Sequence, residues 1–167
     1  TTALIRIAQE HGASCRIVEA VVEVNASQKA RMVAKIRQAL GGSEADKIIA
    51  VLGLTFKPET DDMRDAPSLA ILPALAGRGA IIRAHDPQGM EEAERLIEAN
   101  IEYVASIEDA VSGADALVLM TEWNQYRGLN LGKIKTLMKG KVIIDLRNIY
   151  ERETVEAKGF EYSCVGR

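Results

Sequence analysis

Apolar side chains recur at intervals of three and four along the first quarter of the chain: Leu4, Ile5, Ala8, then Ile17, Val18, Val21, Val22, Val24, Met32, Val33, Ile36 and Leu40. That spacing predicts helix over residues 3 to about 40. Gly12 marks a break between a short helix and a long one, and Gly41-Gly42-Ser43 ends the second. A helix of about 25 residues would run about 37 Å at 1.5 Å per residue, longer than packing on one small domain requires. It is therefore expected to bridge something, a helix folded back on its own domain being the alternative. Asn25 falls on its apolar side, where a buried amide must be bonded or cost about 1 to 3 kcal/mol, so it is expected to tie the helix to a neighbouring domain or chain.

From Asp46 the period changes. Short apolar runs at 47–54, 80–85, 101–104, 115–120, 141–146 and 160–164 read as strands, and 68–78, 90–98, 107–112, 131–138 and 151–158 as the helices between them. Regular alternation with short connections predicts an α/β fold: a doubly wound parallel sheet covered on both faces, preceded by a long linking helix. Residues 1–42 are expected to form the linking helices and 43–167 the sheet domain.

Composition narrows the function classes. Hydrophobic residues make up 47% of the chain, ample for a core, and a net charge of −3 with dispersed cations gives nucleic acid nothing to grip. No apolar run reaches the roughly 18 residues of a membrane span. Cys15 and Cys164 form neither a disulfide framework nor a C-x-x-C site, which suits a reducing cytoplasm. Asp61-Asp62, and His11 with His85, lack the companions and spacing that a metal requires, so no metal is expected.

In an open parallel sheet ligands bind outside the carboxyl ends of the strands. Four polar clusters fall at such ends: Phe56-Lys57 with Arg64, His85-Asp86-Pro87, Thr121-Glu122-Trp123-Asn124, and Asp145-Leu146-Arg147-Asn148. Strand direction alone predicts that they meet on one rim. Lys57 supplies a point charge and Phe56 a flat apolar face, a pairing suited to a pyrophosphate beside a sugar or base. The alternative makes Phe56 core and Lys57 a solvated loop residue. The planar fork of Arg147 suits a diphosphate, with a salt bridge to Asp145 or Asp86 as the competing role. Arg64 lies among Glu59, Asp61, Asp62 and Asp65, where a local ion pair is the simple reading. Asp65 or Asp62 is expected to cap the helix opened by Pro67, whose free amides favour an anion. Trp123 either stacks on a base or closes the core, and the two cysteines read as ordinary buried thiols.

The string GLTFKPETDDMRDAPS, together with Val24-Asn25-Ala26-Ser27-Gln28, His85-Asp86-Pro87, Thr121-Glu122-Trp123 and Asp145-Leu146-Arg147-Asn148, resembles the nucleotide-sugar 6-dehydrogenases, the UDP-glucose/GDP-mannose dehydrogenase family. The matches stand in the family's order and span nearly the whole chain. The resemblance implies a Rossmann-like UDP-binding domain behind a central helix that also forms a homodimer interface. It implies Phe56, Lys57 and Arg147 on the UDP-sugar and Arg64 on NAD, the register of Arg147 against Asn148 being open. It also implies oxidation of UDP-glucose to UDP-glucuronate by two NAD through a nucleophilic cysteine. The family's glycine-rich loop and that cysteine match nothing here, so the chain is expected to be a carboxyl-terminal part with no catalytic residue of its own, silent in isolation. GDP-mannose or UDP-amino-sugar members, and a non-catalytic nucleotide-binding module, are the other readings.

Overall fold

The computed structural model describes residues 2–166. Two helices lead, α1 (Thr2–Glu10) and α2 (Arg16–Ala39), with Gly12 between them at φ +69. The 24 residues of α2 make a rod of about 36 Å. Only its second half meets the sheet: Val33 and Ile36 are buried in the core, whereas Ile17 is 82% exposed and Val21, Val24, Leu4 and Ile7 are exposed beside it. Asn25 is exposed as well, so the buried, bonded amide expected there is not present within this chain. Its stretch of α2 has run past the sheet, and none of the described residues buries it. The far end of α2 is pinned by buried Glu44, which lies 3.5 Å from both Arg37 and Arg78.

Strand and helix then alternate through β1 (Ile48–Leu52), α3 (Ser68–Ala76), β2 (Ile81–His85), α4 (Met90–Leu96), β3 (Ile101–Tyr103), α5 (Ile107–Val111) and β4 (Ala116–Leu119). After them come α6 (Asn124–Arg127), α7 (Leu131–Leu137), β5 (Val142–Asp145), α8 (Arg152–Glu156) and β6 (Glu161–Cys164). All neighbouring strands are parallel, in the order β3-β2-β1-β4-β5-β6. This is the doubly wound arrangement of Rossmann-type domains, with the order reversing between β1 and β4. Side chains of the central strands alternate between two cores. Ile49, Val51, Ala116 and Val118 face Ile36 of α2 and Ile71, Leu72 and Leu75 of α3; Ala50, Leu52, Leu117 and Leu119 face Val111, Ile134 and Val155 on the opposite side. Burial on both faces is why these strands read as unbroken apolar runs.

Register fixes the site's position. His85, Leu52, Leu119, Asp145 and Cys164 are cross-strand partners in a single row, so everything that follows them emerges on one edge. Among the described residues no helix is long and apolar enough to cross a membrane.

Candidate functional site

Asp86 leaves β2 fully buried at the centre of this rim. Its Oδ2 accepts from the Leu54 amide at 2.7 Å, from the Thr55 amide and hydroxyl at 3.2 and 3.3 Å, and from the Trp123 indole at 3.2 Å. Its Oδ1 accepts from the amides of Gln88 at 3.0 Å and Gly89 at 2.8 Å. One carboxylate thereby joins the segments leaving β1, β2 and β4. Thr121 adds a second tie, its hydroxyl donating to the Thr55 carbonyl oxygen at 2.7 Å, and Ser68 a third, donating to the Leu54 carbonyl oxygen at 2.5 Å. Asp145 does the same for the segment after β5: its oxygens accept from the amides of Arg147, Ile149 and Tyr150 and from the Tyr162 hydroxyl. The four expected clusters therefore leave one edge: the first is tied to the second and third through Leu54 and Thr55, and the third to the fourth through Glu122 and Arg147.

Phe56 and Lys57 stand just beyond the anchored Leu54 and Thr55. The Phe56 amide donates to the Asp62 carbonyl oxygen at 2.9 Å, closing the loop between them. The Phe56 ring is 49% exposed, which removes the core alternative, and Lys57 is exposed with no hydrogen bond or ion pair among the described residues. Arg147 leaves the same edge two residues after β5. It forms neither of the two salt bridges weighed for it; its Nε and Nη2 instead grip the two carboxylate oxygens of Glu122, the latter at 2.8 Å. The Arg147 fork holds the Glu122 carboxyl below its usual pKa, and Glu122 in turn raises that of Arg147. Asn148 is differently occupied. It sits at φ +54, and its amide makes a reciprocal pair of 3.0 Å hydrogen bonds with the Val165 backbone, so its side chain ties the segment after β5 to the residue that follows β6.

The ion pair weighed for Arg64 is formed. Its Nε and Nη2 lie 2.9 Å from the two oxygens of Asp62, whose carboxyl is held well below the usual range by that hydrogen bond, yet the side chain stays 89% exposed. This pairing overturns the expected helix cap. Asp62 is turned to Arg64, Asp65 sits at φ +57, and α3 begins at Ser68 without a side-chain cap. The amides of Leu69 and Ala70 bond the carbonyls of Ala66 and Pro67, so they are not free for an anion. Trp123 is buried against the second core and bonded to Asp86, which gives it the core-closing role. Cys164 is buried as expected, but Cys15, at the entry to α2, is half-buried.

Behind the rim, His85 Nδ1 lies 2.9 Å from the Tyr126 hydroxyl, which donates to the His85 carbonyl oxygen at 2.9 Å, so Nδ1 carries the proton. Burial pushes the imidazole pKa down against the pull of Asp86 and Glu108. It also pushes the Tyr126 phenol far up, leaving both groups neutral supports. Among the described residues no three His, Cys, Asp or Glu side chains gather as a metal would require.

Fold and rim together define a doubly wound α/β domain with an exposed aromatic ring, a lysine and an arginine on its carboxyl edge. A model described as UDP-glucose/GDP-mannose dehydrogenase family, UDP binding domain, matches residues 50–152. The chain belongs to that family. It is 46% identical over 167 residues to the UDP-glucose 6-dehydrogenase of Rhizobium meliloti (strain 1021), covering 100% of this chain and 38% of the relative. To UDP-glucose 6-dehydrogenase TuaD of Bacillus subtilis (strain 168) it is 40% identical, again over 100% of this chain but 36% of the relative. Among solved structures, a UDP-glucose dehydrogenase from Pyrobaculum islandicum superposes with a TM-score of 0.76 at 31% identity, over 96% of this chain and 34% of that one. The chain thus spans well under half the length of the curated relatives it matches.

Proposed function

We propose that these residues are the nucleotide-sugar grip of an enzyme that oxidises UDP-glucose to UDP-glucuronate with two NAD, residues 1–42 acting as linking helices and 43–167 as the UDP-sugar-binding unit. The supporting observation is the single edge on which exposed Phe56 and Lys57 and the anchored guanidinium of Arg147 stand together. Lys57 neutralises one phosphate, Arg147 offers planar donors to the other, and the Phe56 ring covers the apolar face of the sugar or base. That identity approaches one half with the Rhizobium meliloti enzyme favours UDP-glucose over other nucleotide sugars.

NAD accepts the hydride in this reading. The turn after β1 carries a single glycine, Gly53, where a Cβ would fall 2.5 Å from Thr121, so that glycine serves close packing of the ends of β1 and β4. Arg64, exposed at the loop's outer edge, suits a side contact to the dinucleotide. In this reading NAD is held mainly, and the nucleophile supplied, by residues outside the 167, and the chain alone turns nothing over. The uncovered stripe of Leu4, Ile7, Ile17, Val21 and Val24 is the face on which a second copy sits. Sedimentation of the full-length protein as a monomer would end that part of the reading.

Calorimetry on the full-length protein tests the grip. UDP is expected to bind more tightly than GDP, and Lys57→Ala to weaken UDP-sugar binding by about 1 to 3 kcal/mol, the worth of a charge-assisted hydrogen bond. Preference for GDP would move the substrate to another member of the family, and unchanged affinity in the variant would return Lys57 to solvent.

A further inference from the structure

We infer that Glu122 is a positioning residue: it fixes the guanidinium of Arg147 so that the donors left over face the diphosphate. This rests on the reading of Arg147 given above, and four observations carry it.

First, the contact is a two-point fork, Nε and Nη2 against both carboxylate oxygens, which sets the plane of the guanidinium as well as its position. A guanidinium has five N–H donors and the fork occupies two, so Nη1 and the outer hydrogen of Nη2 stay directed away from Glu122; Nη1 has no hydrogen-bond partner among the described residues. Second, Glu122 stands between two clamped residues. Thr121 on one side is tied to Thr55, and Trp123 on the other is tied to Asp86. Its carboxylate therefore rides on the same frame that carries Phe56 and Lys57. Third, the backbone of Arg147 is held independently, its amide donating to Asp145 at 2.9 Å. An arginine fixed at its backbone and at its fork has little rotamer freedom left to lose when a ligand arrives. Fourth, the other cation on this edge is in the opposite state: Lys57 is exposed and makes no hydrogen bond or ion pair among the described residues. The rim thus pairs one pre-set planar donor with one adaptable point charge.

A carboxylate so near a diphosphate also repels it, and the two roles predict opposite signs. If Glu122 merely sequestered Arg147, or chiefly repelled the anion, removing it would tighten binding. A positioning role requires that binding weaken.

The experiment is a double-substitution cycle in the full-length protein, read by calorimetry with UDP and by steady-state kinetics with UDP-glucose. Glu122→Ala is expected to weaken UDP about 5- to 20-fold and raise KM with kcat nearly unchanged. Glu122→Gln, which keeps the shape and one acceptor oxygen, is expected to restore part of the loss. With Arg147→Ala already present, Glu122→Ala should have no further effect, which a general loosening of the fold would not reproduce. Tighter or unchanged UDP binding in Glu122→Ala, or full additivity with Arg147→Ala, overturns the inference and leaves the grip standing. Unchanged affinity in Arg147→Ala itself removes the diphosphate contact of Arg147, and the inference with it.

Discussion

Asp86→Ala is expected to cost the fold about 3 to 5 kcal/mol, because it removes the one acceptor shared by several buried neutral donors. The carboxylate is fully buried and is the acceptor for the Leu54, Thr55, Gln88 and Gly89 amides and the Trp123 indole. A buried donor left without an acceptor loses about 1 to 3 kcal/mol, and several share this one. The full sum is not expected, because the loops relax and water enters. For a domain of this size each kcal/mol lowers the unfolding midpoint by about 2 to 4 °C, so the drop should reach about 10 °C or more. Asp86→Asn separates stability from function. An amide keeps an oxygen for Gln88 and Gly89 but turns its NH2 toward the Leu54 and Thr55 amides, donor against donor. The loop bearing Phe56 and Lys57 should therefore loosen more than the domain melts, and UDP binding should fall further than the midpoint implies. An alanine variant that unfolds within about 2 °C of the parent would show that the rim is held by other contacts.

How much of this was legible in sequence depends on how far apart the interacting residues lie. Every strand was foreseen, because burial on both faces leaves a run such as Ile48 to Leu52 without polar interruption, and the edges were overrun by only a residue or two. Helix α6 was missed: Asn-Gln-Tyr-Arg is four residues with no period to read. The convergence of four polar clusters followed from strand direction. What they do to each other did not, since Asp86 meets Leu54 and Thr55 across one crossover connection and Trp123 across two, and Arg147 meets Glu122 from the next strand in sequence. Local chemistry misled at Asp62, where an N-cap and an ion pair compete for one carboxylate and Arg64, two residues away, wins. What Asn148 does was hidden in a backbone angle: at the left-handed φ of +54, a position asparagine tolerates better than most residues, its amide bonds Val165.

Gly53→Ala is expected to lower stability by about 2 to 5 kcal/mol, through two separable causes. At φ +93 an L side chain is strained, at roughly 1 to 2 kcal/mol. The added Cβ would also fall 2.5 Å from both the Cβ and the backbone nitrogen of Thr121, and overpacking of that kind costs about 1 to 3 kcal/mol. This is the point at which the strand order reverses, where β1 and β4 end side by side and the rim opens between them. To admit a methyl group Thr121 must retreat, which breaks its hydrogen bond to Thr55 and carries Glu122 with it. Thermal unfolding alongside Gly159→Ala divides the two causes. Gly159 also has a positive φ, +79, but a Cβ there meets nothing within 4 Å, so that variant incurs strain without collision. Gly53→Ala should lose stability well beyond the Gly159 variant, and it alone should weaken UDP binding in the full-length protein. Equal losses would mean that the ends of β1 and β4 part freely, and the rim would then be a pliant edge without the fixed geometry that the Arg147 contact requires.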